Sequence, residues 1–400
     1  MRVSSAQLFQ QGITAILNQQ SQVNHTQQQL ATGQRVLTPS DDPVAAVQIM
    51  DINEDLKQLD QYQRNADLAE GQLALEEDTL AQAGTVLQRV RDLVLQANNA
   101  TQTPETRQGI AVEIKALSDQ FLALANTRDA NGEYLFGGFQ SDTAPFVRQG
   151  AGVVYNGDNG QRFIELGSGS QVAVRDPGSE VFQGITTGNG VFTVSADTAN
   201  SGTAVAGIAS ESGSFVPDIY TITFSQATPS DPVTYQVTDS SAAVVASGNY
   251  VSGDAIAFAG ASIQFDGAPT DGDSFQVATA ADQDIFTTLQ NMVNTLENAG
   301  AAPDQVAQIN NALGGALQNI DQALGHLVDK RADVGVRLGQ VESQRVLNET
   351  FDVQLQETLS NLQDLDYAEA ISRLNLQLTA LEAAQQAYVR VQGLSLFNYL

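Results

Sequence analysis

The chain has 400 residues, 42% of them hydrophobic, and a formal net charge of −28. That length and content suffice for a buried core and two or three domains, while the acidic balance excludes nucleic acid and anionic membrane surfaces as partners. Cysteine is absent, which excludes a disulfide scaffold, a thiol nucleophile and any cysteine-ligated metal.

The basic residues are unevenly placed, with no Lys or Arg between Asp176 and Asp329. An acid-only middle is a solvated, self-repelling surface, the alternative being a cation-binding face. The opening MRVSSAQLFQQG has no apolar run like a signal-peptide core, and no window reaches the length of a membrane span. That pattern fits a cytoplasmic protein, and equally one exported by a route without a cleaved signal.

Residues 3–36 read as a first helix with a heptad seam of Phe9, Ile13, Ile16, Val23 and Leu30, and with Gln20 and Gln27 in the skipped slots. Polar residues in a seam weaken a coil while fixing its register. The Leu37–Pro43 stretch, LTPSDDP, stops this helix, and Ser40 or Asp41 is placed to cap the next, with Pro43 in its first turn. The second helix runs from Asp42 to Asn98 with apolar positions Val47, Leu56, Leu59, Leu73, Leu80, Leu87, Val90 and Val94. Its length of about 85 Å at 1.5 Å per residue exceeds ordinary globular helices several-fold. Thr103 is expected to cap a third helix from Pro104 to Thr127, followed by a turn at Asn131-Gly132 and a short strand.

Between Gly138 and Ala280 the composition turns to Gly, Ser, Thr, Val and Asp. Alternating runs such as Tyr220–Phe224, Val233–Val237 and Ala261–Phe265 predict antiparallel sheet, with a second lobe beginning at Val191. Helix resumes at Asp282, pauses at Asn298–Pro303, and then carries a long frame from Leu313 through Val334 and Val341 to Leu362. Arg331, Arg345, Asn348 and Asp352 occupy the remaining slots of that frame. A one-residue slip at Asp364-Leu365-Asp366 marks a joint between two coiled segments. The last segment carries a seam of Tyr367, Ile371, Leu374, Leu378, Leu381 and Tyr388. Two narrow stripes of similar length, one at each end, predict that the ends pair antiparallel. Such stripes bury little relative to the entropy of ordering them, so the ends are expected to be mobile in an isolated subunit and to order on assembly.

The fold class expected is α+β, a long antiparallel coiled-coil rod formed by both chain ends with a β-rich insertion in the middle. The expected domains are residues 1–36 with 367–400 as a terminal assembly domain, and 37–137 with 282–366 as a helical rod. A first β lobe at 138–190 and a second at 191–281 complete the set. The assembly seam is the set of residues named in the two terminal stripes. The joint consists of Pro39, Ser40, Asp41, Asp42 and Pro43 on one side and Asp364 and Asp366 on the other.

This pattern resembles the flagellin-like axial proteins of the bacterial flagellum, nearest the branch at the hook–filament junction. The resemblance is carried by MRVSSAQLF, by QQQLATGQRVLTPSDDPVAA over Gln27–Ala46, and by NGEYLFGGF over Asn131–Phe139. Val153–Phe182 and Leu365–Leu400, which ends in LSLFNYL, also carry it. It implies a structural subunit that forms a ring-like or helical layer with its own copies. The implied partners are the first hook–filament junction protein, flagellin and a flagellar export chaperone, with no nucleic acid and no membrane. It also implies export through the flagellar type III apparatus, an extracellular place in the flagellum and no cofactor. The alternatives are a flagellin-like filament subunit and, from another class, a carbohydrate-binding surface adhesin.

Catalytic signals do not compete. His25 and His326 stand on separate helices without a second metal ligand at binding spacing, so surface or seam positions are expected for both. No nucleophile elbow, P-loop or dinucleotide glycine pattern occurs. The acidic run Asp266–Asp273 lacks the spacing and closing Glu of a calcium loop.

Overall fold

The protein is described by a computed structural model covering residues 5–150, 152–228 and 230–393. Residues 1–4 and 394–400, which include the LSLFNYL ending and the outer parts of both terminal segments, lie outside the described residues. Contacts divide the chain into two compact units, Met1–Asn65 with Ser343–Leu400 and Ala66–Glu342.

The first unit contains helix α1 (Ser5–Thr32), helix α7 (Tyr367–Gly393) and the adjoining ends of α2 (Pro43–Ala97) and α6 (Pro303–Gln363). α1 stops at Thr32, short of the expected 36, because Gly33 turns into the left-handed region at φ +74°. The cap of α2 is Asp42 rather than Ser40 or Asp41. Its Oδ1 accepts the Ala45 amide at 3.1 Å, with Pro43 as the first helical residue. Within this unit α2 and α6 meet through Gln63 and Glu349, 3.4 Å apart, with Ile52, Tyr62 and Asn348 buried.

The second unit has a helical part and two β regions. α2 and α6 run antiparallel, tied by Arg331 to Glu77 at 2.6 Å and by Arg91 to Asp321 at 2.6 Å. The predicted heptad frames become the core: Leu73, Leu80, Leu87, Val90 and Val94 pack with Leu313, Ile320, Leu327, Val334 and Val341. α3 (Pro104–Ala125) starts at Thr103, whose hydroxyl and that of Thr106 make reciprocal capping bonds. It packs against α5 (Ile285–Glu297), whose N-cap is Asp284. The helix expected from Asp282 thus begins three residues later, because Asp282–Gln283 pair with Ile185–Thr186 as strand.

The first β region consists of the hairpins β1 (Phe146–Gln149) with β2 (Gly152–Tyr155) and β3 (Phe163–Gly167) with β4 (Ser170–Ala173). The short helix α4 (Gly178–Phe182) and strand β5 (Ile185–Thr186) follow. This region shares the helices' core. Phe182 lies 5.0–6.4 Å, ring centre to ring centre, from Phe121, Phe136, Phe146 and Phe286. The short strand expected after Asn131-Gly132 is instead a pinched turn. Asp129 Oδ1 accepts the amides of Asn131 and Glu133, which leaves a single bridge between Arg128 and Tyr134.

The second β region has a separate core. Strands β6 (Phe192–Ala196), β8 (Tyr220–Ser225), β9 (Thr234–Thr238), β10 (Val244–Asn249) and β13 (Ser274–Thr279) form an antiparallel sheet in the order β10-β9-β8-β13-β6. A smaller sheet joins β11 (Ala255–Phe258), β12 (Ala261–Asp266) and β7 (Val205–Glu211). Inward residues at alternate positions, Tyr220, Ile222 and Phe224 with Phe275 from the larger sheet and Ile263 and Phe265 from the smaller one, make its core. The region is held on α6 by amide side chains: Asn311 bonds Ala204 and Ala206, and Asn319 bonds the Gly188 amide.

Candidate assembly site

The terminal helices pair antiparallel, as the two sequence stripes predict. Near the N-terminal end of α1, Phe9 meets Tyr388 edge to face with ring centres 6.1 Å apart. Midway, the Thr26 hydroxyl donates to Gln377 Oε1 at 2.8 Å, and Gln19 Nε2 donates to the Gln377 carbonyl at 3.2 Å. At the far end Arg373 donates to Gln29 Oε1 at 3.2 Å, and the Tyr367 hydroxyl stands over Gly33. Small residues allow this approach: a methyl group added at Gly12 would come 3.0 Å from the Tyr388 ring.

Of the predicted seam, Phe9, Ile16, Val23, Leu30, Leu374, Leu381 and Tyr388 are buried or half-buried. Ile13, Tyr367, Ile371 and Leu378 are exposed, at 45%, 53%, 50% and 38%. The second position of the heptad is taken on α1 by Gly12, Gln19 and Thr26, and on α7 by Ala370, Gln377 and Ala384. Sequence reasoning placed large apolar residues at a step of four where the helices use small or polar residues at a step of three. One residue of offset rotates a side chain by about 100°, which turns Ile13, Ile371 and Leu378 to the flank of the pair. The same offset moves the polar positions of the seam from Gln20 and Gln27, both exposed, to Gln19, Thr26 and Gln377. Glutamines stand side by side at 10–11, 19–20 and 27–29 of α1 and gave no signal to choose among them.

Where α1 meets α2 and α6 meets α7, the two joints bind one another. The Arg35 amide donates to the Gln363 carbonyl at 2.7 Å, and the Leu365 amide donates to the Gly33 carbonyl at 2.9 Å. Gln34 and Asp364 form a two-residue antiparallel bridge between them. The Arg35 side chain spans the junction, from Asp42 Oδ2 at 3.2 Å to the Leu362 carbonyl at 2.8 Å. Gln29 Nε2 donates to the Arg35 carbonyl at 2.6 Å, linking the joint to the polar seam. Of the predicted joint residues, Asp41 Oδ2 accepts the Leu37 and Thr38 amides, and its Oδ1 lies 3.6 Å from His25. Burial works to raise the Asp41 carboxyl, but those amides and His25 outweigh it and hold the group below its usual value. The Ala45 amide and then Arg35 hold Asp42 low as well. Asp366 caps α7 by accepting the Ala368 and Glu369 amides, and Asp364 accepts the Ser360 hydroxyl. Ser40 bonds Thr38, and Pro39 is exposed in the turn.

Arg35 and Gln29 are the residues that sequence reasoning missed here. Arg35 was legible only as the single cation beside an acidic turn. This arrangement offers packing surfaces and a rigid elbow rather than reactive groups. Among the described residues no cluster of three or more His, Asp or Glu is set to hold a metal, and no helix is long and apolar enough to cross a membrane. His326 on α6 contacts the Glu180 carbonyl at 2.7 Å.

The helical ends match the bacterial flagellin N-terminal helical region over residues 3–141 and the bacterial flagellin C-terminal helical region over residues 317–400. The crystal structure of Xanthomonas campestris FlgL aligns at 36% identity with a TM-score of 0.72, covering 77% of this chain and 99% of that one. The chain belongs to the flagellar hook-associated protein 3 (FlgL) family. Flagellar hook-associated protein 3 of Escherichia coli is 27% identical over 398 residues, which is 100% of this chain and 99% of the relative. A hook-associated protein 3 from Legionella pneumophila superposes at a TM-score of 0.75 and 34% identity, over 78% of this chain and 98% of that one. For this FlgL-family chain the terminal pair and its joint therefore sit inside the matched helical regions. Both β regions lie between them.

Proposed function

We propose that this chain is a structural subunit of the bacterial flagellum that joins the hook-side junction protein to the flagellin filament. Its helix pair α1–α7 is the element that enters a layer of its own copies. The observation that carries this reading is apolar surface on more than one side of that pair. On α7, Tyr367, Ile371, Leu378 and Val389 lie along one flank of the seam, and Leu376, 70% exposed, lies on the opposite flank. On α1, Ile13 and Leu17 are 45% and 59% exposed. A helix that is apolar on several sides is built to be surrounded by other helices.

The role is mechanical rather than catalytic, and the joint sets the angle at which the pair leaves the longer helices. Family membership supports the rest: export through the flagellar type III apparatus, a chaperone that holds the C-terminal segment, and work outside the cell at the hook–filament junction. The experiment is complementation of a deletion strain. Hooks without filaments, with flagellin lost to the medium and both defects reversed by this gene, are the expected result. Normal filaments in the deletion strain would overturn the reading. Open-ended fibres grown from the purified protein alone would favour a filament subunit instead.

A further inference from the structure

Glu76, on α2 in the second unit, has no exposed surface. Its Oε1 accepts the backbone amide of Asp176 at 3.1 Å, while Oε2 has no hydrogen-bond partner. The carboxylate of Asp176, only 1% exposed, is fully engaged. Arg337 Nη2 stands 2.8 Å from both its oxygens, and Gln161 Nε2 donates to it at 2.7 Å. The other cations around Glu76 are committed elsewhere. From the segment carrying Asp176, Arg175 pairs with Asp129 at 2.7 Å and Glu133 at 2.9 Å. From α6, Lys330 pairs with Glu180 and Arg331 with Glu77, while Asp333 adds a further negative charge near Arg337. Two buried carboxyl groups therefore share one guanidinium, whose hydrogen bonds, both from Nη2, go to Asp176, while its buried Nη1 has no partner and makes no bond to Glu76. A buried carboxylate without its own counter-charge takes up a proton rather than stay ionised.

We propose that Glu76 is carried as the neutral acid and acts as a proton-operated latch. With its proton it holds the Asp176 segment of the first β region on the paired helices. Without the proton it sets a second negative charge beside Asp176, and the segment is released. Burial first, and then the Asp176 charge, push the Glu76 carboxyl up to about 8 against the lowering pull of the Asp176 amide, Arg337 and Lys330. In the released segment the carboxyl returns to its ordinary value of 4.5. The latched state thus binds more protons between those two values. Latching is strongest below the lower value, weakens by up to tenfold per pH unit as pH rises toward 8, and is level above it.

The test is hydrogen exchange in the full-length monomer, comparing residues 158–178 with residues 234–279 of the second β region as an internal reference. Relative protection of the first segment should fall about 15-fold between about pH 6.5 and pH 8. Glu76→Gln, which mimics the neutral acid, should keep the protection and abolish the fall. The same slope in the variant and the parent would overturn the latch. A direct readout covers the case in which the variant does not fold. The infrared band of a protonated carboxylic acid should be present in the parent protein at neutral pH and titrate away around pH 8. Its absence at neutral pH would overturn the proposal equally.

Discussion

Two double substitutions on α7, three positions apart along one helix, separate what holds the terminal pair together from what the pair offers to neighbours. Leu374 and Leu381 lie in the seam, level with Thr26 and Gln19 of α1, and both are half-buried. A fully buried Leu→Ala change costs about 2–5 kcal/mol. At half burial each change is worth about 1–2 kcal/mol, so Leu374→Ala with Leu381→Ala should weaken the pair by about 2–4 kcal/mol. Ile371 and Leu378 are 50% and 38% exposed on the flank. Changing both to Ala should cost the monomer no more than about 1 kcal/mol, since surface changes usually stay near 0.5 kcal/mol each. In the proposed layer the order reverses, because the flank residues become interfacial in every copy. The assay pairs hydrogen exchange of α1 and α7 in the monomer with motility and secreted protein in a complemented deletion strain. The flank variant should keep the monomer's protection, be secreted normally and fail to support filaments. Unchanged motility in the flank variant, or equal loss of protection in both monomers, would refute the division of labour.

Excision of Val191–Ala280 should leave the helices and the first β region folded. The excised region has its own core, and its ends are adjacent, the Ala280 amide donating to the Val191 carbonyl at 2.9 Å. Circular dichroism and filament complementation check this, and a variant that is secreted and folded without supporting filaments would count against it. Phe182→Ala empties the centre of the aromatic cluster around Phe121, Phe136, Phe146 and Phe286, and should cost about 3–5 kcal/mol in denaturant unfolding monitored at the helices. In the Glu133 carboxyl, Arg162 and Arg175 outweigh burial and hold the group low. Its stabilising pairing is therefore complete above the ordinary carboxylate range and lost as pH falls through the lowered value. Acid titration should loosen the turn at Asp129–Glu133 in the parent protein and not in Glu133→Gln.

The sequence by itself determined the long helices, their antiparallel return and the β-rich middle. Leucines at heptad spacing and runs of alternating Val, Thr and Phe admit one periodicity each, so α2, α6, β8, β9 and β12 were legible within a few residues. The chain break at LTPSDDP was legible because proline cannot continue a helix interior and Ser and Asp favour caps, and the one at Asp364-Leu365-Asp366 because the heptad frame slips there by one residue. Tertiary structure alone decided which neighbour each helix position faces. A step of three and a step of four are both helical, and the choice between Ile371 and Ala370 depends on how closely a second helix approaches. That approach is set by Gly12 on α1 and by Ala370 and Ala384 on α7, residues whose importance lies in the space they leave empty. Likewise no local pattern marked Glu76 as different from the other carboxylates of α2. Its chemistry arises from Asp176 and Arg337, a hundred and more than two hundred and fifty positions away, because burial and counter-charge belong to the folded chain and not to any segment of it.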